Sequence, residues 1–315
     1  MDNGYFRGLK NSKVLQGIKL LIPIPFDFIT LKRRYLFLFE IIINVRYFFF
    51  FYRSLPHNAY FEKIKSSPLV IYKYFGNSIS LGFSVYDKIK IYKFHYDVMI
   101  KRLEEIHLSS IGISSVQLWH KKVESDIHEI ILFSTSSLNS ELEGALTMAY
   151  LFNGTTLFKL IFTHIPGNII EGLQKDGVFV GCSQGTTGNR ELWKLATKQN
   201  LRLSPDDILL LALQAWAIKN NAQSIVGVNA ENQVSEEVIV GGPSKHLRTY
   251  QTFWMHNSGE RVGDYFLLPI EPVLKEKKDR NNYSSRDKKN HAMRIEIYNQ
   301  IQQNLVGVIR AIIHV

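Results

Sequence analysis

The chain has 315 residues, 45% of them hydrophobic and 21% charged, and a single cysteine, Cys182. These proportions exclude a disordered polyelectrolyte, a collagen-like repeat and a coiled-coil rod, and one cysteine excludes a disulfide framework or a zinc site built on paired cysteines. The net charge of +10 is unevenly spread: residues 1–107 carry 17 Lys and Arg against 8 Asp and Glu, whereas residues 108–315 carry 21 against 20.

The same first third holds 23 of the 39 aromatic residues, including the run Tyr47-Phe48-Phe49-Phe50-Phe51-Tyr52. Cations beside large apolar side chains suit an anionic membrane, where each Lys or Arg near the lipid adds about 1 kcal/mol. They also suit nucleic acid, where cations neutralise phosphates and rings stack on bases. The plainer alternative is a helical core of rings kept soluble by lysines.

Residues 8–107 read mainly as helix, with one helix over 31–53 that ends before Pro56. Tyr35 to Tyr52 is barely long enough to span a bilayer and contains Glu40, Asn44 and Arg46. Each charge at the bilayer centre costs at least ~2.5–3.5 kcal/mol, so a buried or interfacial helix is expected. The apolar stretch Leu20 to Phe26 is broken by Pro23 and Pro25 and lacks a small-residue cleavage site, unlike a signal peptide. The expected location is cytoplasmic, with peripheral contact at the inner membrane. A further helix starts at Ser84-Val85-Tyr86-Asp87, a capping box, with Val85, Ile89, Tyr92, Tyr96, Met99, Leu103 and Ile106 on one stripe.

From about residue 125 the texture changes. Residues 127–133, 144–152, 157–165 and 178–183 read as strands, and Asn153-Gly154 marks a tight hairpin because both turn positions need positive φ. The loop Gln184-Gly185-Thr186-Thr187-Gly188-Asn189 then leads into a short helix over 190–198. Ser204-Pro205-Asp206-Asp207 starts another, whose body Ile208 to Ile218 is apolar all round and must be buried on several sides. A strand over 224–228, a helix containing Tyr250 to Trp254, a strand over 265–270, a charged linker over 275–289 with a cap at Ser284 and Asp287, and a last helix to about Ile313 complete the order. The expected fold class is α+β, with a basic helical region over 1–125 and a mixed, largely antiparallel sheet with helices over 126–315. One strand–helix–strand crossover would make part of that sheet parallel.

The candidates for chemistry each have a bland counterpart. His128-Glu129 starts like a zinc-protease motif, but Leu132 stands at the second ligand position, and no metal site is expected. Cys182 reads as a nucleophile or, more simply, as a small packed side chain. Gln184, Gly185, Gly188, Asn189 and Arg190 form a strand-to-helix turn whose free amides and guanidinium can hold a phosphate, or which merely connects two elements. His95 is a proton carrier or a satisfied core histidine. Tyr250, Phe253 and Trp254 are core or a stacking platform.

Several segments together resemble the bacterial VirK/YbjX family. They are Glu143-Gly144-Ala145-Leu146-Thr147, Val180-Gly181-Cys182-Ser183-Gln184-Gly185, Ala196-Thr197-Lys198 and Leu201-Arg202-Leu203-Ser204-Pro205. Ile225 to Asn229, Tyr250 to Trp254, Leu267-Leu268-Pro269, Ser285 to Lys288 and His95-Tyr96 extend the likeness over about residues 50–305. His256 to Gly259 replaces the acid and paired glycines that the resemblance leads one to expect after Phe-Trp, and Ala145 stands in place of a second acid. The resemblance implies a setting of virulence, envelope stress and survival of antimicrobial peptides. Joined to the charge split, it leads to a factor that engages an anionic lipid or envelope component.

A different expectation comes from element order, which is similar to that of the GNAT acyltransferase core. Acyl-CoA would then lie with its pyrophosphate near Gln184 to Asn189, and Tyr250 or Tyr265 would donate a proton to the leaving thiol. Gln184 and Gly188 are one residue further apart than that family's usual spacing. A nucleic-acid-binding regulator is the third expectation, without a helix-turn-helix, RRM or zinc-finger pattern behind it.

Overall fold

The computed structural model describes residues 78–103, 115–134, 142–234, 246–272 and 285–311. The expected helix over 31–53, the aromatic run and much of the basic front end lie outside the described residues, as do residues 275–284 of the expected linker with its Ser284 cap, whereas 285–289 of that linker are helix.

Helix α1 (Val85–Leu103) starts where its sequence says it should. The Ser84 hydroxyl accepts the Asp87 amide and donates to the Asp87 carboxylate, which in turn accepts the Ser84 amide. Two donors that the first turn would leave unpaired are thereby satisfied. The apolar stripe Ile89, Tyr92, Tyr96 and Met99 is buried, and the helix packs on strand β4.

The sheet has eight strands: β1 (Val116–Val123), β2 (Asp126–Ser134), β3 (Leu146–Phe152), β4 (Thr155–Ile165), β5 (Gly177–Gly185), β6 (Ile225–Val228), β7 (Glu260–Val262) and β8 (Tyr265–Leu268). Their spatial order is β1-β2-β3-β4-β5-β6-β8-β7, and among these neighbours β5 and β6 alone run parallel. Asn153 and Gly154 take φ of 50° and 74°, the paired left-handed geometry that joins β3 to β4 without splaying them. The Asn153 carbonyl oxygen also accepts the Ile127 amide at 2.7 Å, tying the turn to β2.

Two strands were not visible in the sequence. β1 precedes the texture change at 125; a bulge between Gln117 and Trp119 turns the consecutive Leu118 and Trp119 both inward, which erases the period-two pattern. β7 is a three-residue polar edge strand, too short for periodicity to register. β8 ends at Leu268, before Pro269, so its last two expected residues fall outside the strand.

Helices α2 (Arg190–Gln199) and α3 (Pro205–Lys219) carry the crossover from β5 to β6. Every residue of α3 from Ile208 to Ala217 is buried, against β3, β4 and the long helix α5 (Ser285–Ala311). Its one polar core member, Gln214, donates to the carbonyls of Pro269 and Glu271 at 3.1 and 3.3 Å. Helix α4 (His246–His256) sits on β6 through Trp254, whose indole donates to the Val228 carbonyl at 2.9 Å.

Candidate functional site

Among the described strands the one parallel pair is short. β5 pairs with β6 over only three positions, Val178 with Ile225, Phe179 with Val226 and Val180 with Gly227, yet β5 continues to Gly185. The pairing stops at a bulge. On the other side of β5, Ile161 is opposite Cys182 and Phe162 is opposite Val180, which leaves Gly181 as the extra residue. A bulge bends its strand and raises the local twist. Crevices beyond the carboxyl ends of parallel strands, where a sheet changes direction, are the usual ligand sites of such sheets.

Gly181 is required there by a close approach: a side-chain carbon would run into the carbonyl oxygens of Glu143 and Ile79. Gly144 is pressed just as closely against the backbone of Phe162. The segment 78–83 thus runs along the face of β5 that carries Phe179, where Phe83 meets both Phe179 and Tyr265 at ring distances of 5.1 and 5.7 Å. It is held to the turn after β6 by the Leu81 amide and the Ser80 hydroxyl, both donating to the Asn232 carbonyl.

Beyond the bulge, Gln184, Gly185, Thr186, Thr187 and Gly188 are exposed, and Gly188 takes φ of 86° to turn the chain into α2. Asn189 caps α2 without a side-chain hydrogen bond, so the amides of the first turn stay open, with exposed Arg190 beside them. The structure therefore brings Gln184, Gly185, Gly188, Asn189 and Arg190 to one rim. Phe158 forms the wall behind it, 5.8 Å from Trp193 of α2 and 5.9 Å from Phe253 of α4.

A family model described as "Protein of unknown function (DUF535)" matches residues 28–306. The chain belongs to the DUF535 family. This family is the VirK/YbjX family. No curated protein and no solved structure matches.

In this DUF535 chain, two of the segments that carry the VirK/YbjX resemblance meet at the bulge. Glu143-Gly144 lies against it, Val180 to Gly185 is the end of β5 that contains it, and Cys182 there is buried. Glu143 is itself buried, with Ser78 and Tyr92 as neighbours; burial raises the Tyr92 phenol pKa, with smaller effects from Ser78 and the Glu143 charge. In the sequence Tyr92 is one member of an apolar stripe, and Glu143 stands out only through the family resemblance.

Tyr265 is buried, stacked on Phe83, with its hydroxyl packed where a side chain on Gly82 would lie. Burial raises its pKa, Ser80 partly offsets this, and the charges of Asp264 and Asp87 add to it. Tyr250 falls in α4, and its side chain lies outside the described residues.

His95 is away from the rim. It is fully buried in α1, its Nδ1 accepts the His164 amide at 3.2 Å, and its ring stacks on that of His164. Burial, reinforced by His164, holds its pKa well below the ordinary 6.5. The geometry is that of a neutral core histidine. Among the described residues no group of His, Cys, Asp and Glu could hold a metal ion, and no helix is long and apolar enough to cross a membrane.

Proposed function

We propose that the chain is a GNAT-like acyltransferase that takes its acyl group from acyl-CoA. The observation that supports this is the parallel pair β5 and β6, whose pairing stops after three positions at the Gly181 bulge; in this reading the strands splay beyond it into a crevice. Acyl-CoA supplies an activated acyl carbon on a good leaving thiolate. A slot between two diverging strands suits its extended arm. The Gly188 turn and the open amides of α2, with Arg190, suit its pyrophosphate.

Within this reading Glu143 accepts the proton of the attacking amine or hydroxyl as the new bond to the acyl carbon forms. Tyr265, held protonated by burial, donates to the sulfur as the carbon–sulfur bond breaks. Thermal shift and calorimetry with coenzyme A and acetyl-CoA test it. Stabilisation by both, weakened by Arg190→Ala, is the expected result; no stabilisation at millimolar ligand rules it out.

Charge distribution favours a second reading. The +9 excess over residues 1–107 supports a factor of virulence or envelope stress that engages an anionic lipid or envelope component and aids survival of antimicrobial peptides. Sedimentation with neutral and anionic vesicles at low salt tests it, and equal recovery with both rules it out. Nucleic-acid binding is the remaining alternative, separated from lipid binding by a filter assay with a salt titration.

A further inference from the structure

We propose that the cleft between α2 and the start of α5 binds a ligand carrying at least two phosphate groups. The cleft has a volume of about 720 Å³ and is lined by Trp193, Lys194, Lys198, Leu201, Arg202 and Lys289, together with two hydroxyl residues, Thr197 and Ser285. None of these described residues is acidic. Lys194 has an exposed partner in Glu191 at 2.7 Å, whereas Lys198, Arg202 and Lys289 make no ion pair among the described residues.

Convergence of like charges from two helices far apart in sequence is unfavourable in the empty protein, and an anion placed among them reverses the sign. Spacing contributes as well. Arg190, Lys194 and Lys198 recur every four residues along α2, and Arg202 continues the row just past its end.

The backbone is strained at the same place. Leu201 and Arg202 take φ of 52° and 71°, two consecutive non-glycine residues in the left-handed region. Each costs about 1–2 kcal/mol for an L-residue. The turn is fixed from below: Asn200 is fully buried, and its Nδ2 donates to the Tyr150 hydroxyl at 3.0 Å. Buried polar bonds thus hold in place a strained turn that presents Leu201 and Arg202 to the cleft. Strain of this kind collects at ligand clamps. Trp193 offers an apolar flank, so the ligand fits best as phosphates joined to a less polar body.

The site stands apart from acyl transfer, with Trp193 as the shared residue. Calorimetry of the full chain with inorganic pyrophosphate at low salt is the direct test, followed by phosphatidylcholine vesicles with and without cardiolipin, whose headgroup carries two phosphates. Lys198→Ala and Arg202→Ala are each expected to weaken pyrophosphate binding about tenfold, as loss of a charged contact should. Their side chains are exposed, and unchanged thermal melts verify that the variants fold. Anionic-vesicle binding weakened by the same substitutions supports the cleft with a lipid headgroup as the source of the phosphates. Binding of neither probe, or binding that survives both substitutions and is lost with Arg190→Ala, overturns the proposal. Coenzyme A binding unchanged in Lys198→Ala and Arg202→Ala keeps this outcome distinct from that of the acyl-transfer reading.

Discussion

The indole of Trp254 lies on the α-carbon of Gly227, in the space that a side chain there would fill. A Cβ at Gly227 would stand 2.5 Å from Trp254 Cε2 and 2.6 Å from Cδ2. The ring cannot swing aside, since it is fully buried and its nitrogen is bonded to the Val228 carbonyl. Gly227 also pairs with Val180, the last joined position of the parallel strands. One glycine therefore sets how closely α4 seats on the sheet and sits at the last paired position of β5 and β6.

Gly227→Ala is accordingly expected to destabilise the fold by about 2–3 kcal/mol, the upper range for overpacking a core. Urea denaturation measures it as a lower midpoint with an unchanged slope. In the double variant with Trp254→Leu the two costs are expected not to add, because the smaller side chain removes the clash.

Acid weakens the fold through His95. Its native pKa lies well below 6.5 because burial disfavours the imidazolium. Between that value and 6.5 the unfolded chain binds a proton that the native chain does not. The stabilisation is fully present above the unfolded value and is lost as pH falls, at a slope approaching about 1.4 kcal/mol per pH unit. His128, also lowered chiefly by burial, adds to it in the same direction. Stability curves from pH 8 to 5 should show this limb. His95→Gln keeps an acceptor for the His164 amide and should flatten it.

The buried network under α2 is read as a set of roles. Tyr150 donates to His128 Nδ1 at 2.6 Å and accepts from Asn200; His128 Nε2 then donates to the Gln199 carbonyl oxygen at 2.8 Å, and Gln199 donates to Asp126 at 2.6 Å. Tyr150→Phe removes the hydroxyl from both Asn200 and His128, while Asn200 Nδ2 keeps the Ala196 carbonyl at 3.0 Å and His128 Nδ1 at 3.2 Å. A loss of about 0.5–1.5 kcal/mol, that of an ordinary hydrogen bond, is expected. Because Asn200 anchors the Leu201-Arg202 turn, the same variant should also weaken pyrophosphate binding, a readout that simple loss of packing would not move.

Local signals carried most of the sheet and little of the site. The capping boxes at Ser84 and Ser204, the Asn153-Gly154 turn and the all-apolar α3 were legible because each is decided within a few residues. The proposed crevice was legible only as a glycine-bearing loop. Its basis, the Gly181 bulge, depends on Glu143 and Ile79 arriving from segments 38 and 102 residues away, which no window along the chain contains. The cationic cleft was missed for a similar reason: Lys289 reads as part of a charged linker until α5 is seen to start at Ser285 and bring it beside Lys198.

The strained turn allows the sharpest separation of stability from function. Leu201 is 44% exposed, so removing its side chain gives up part of a leucine's burial, about 1 kcal/mol. At φ of 52° the side chain is a liability, and glycine there removes about 1–2 kcal/mol of strain against an entropic cost of about 0.5–1 kcal/mol. These effects nearly cancel, and Leu201→Gly is expected to leave stability within about 1 kcal/mol of the parent, measured by chemical denaturation. The same variant lets the turn relax and withdraws an apolar contact from the cleft, so its pyrophosphate affinity should fall. A variant that lost stability and affinity together would mean that Leu201 is ordinary packing and that the turn is not held for a ligand.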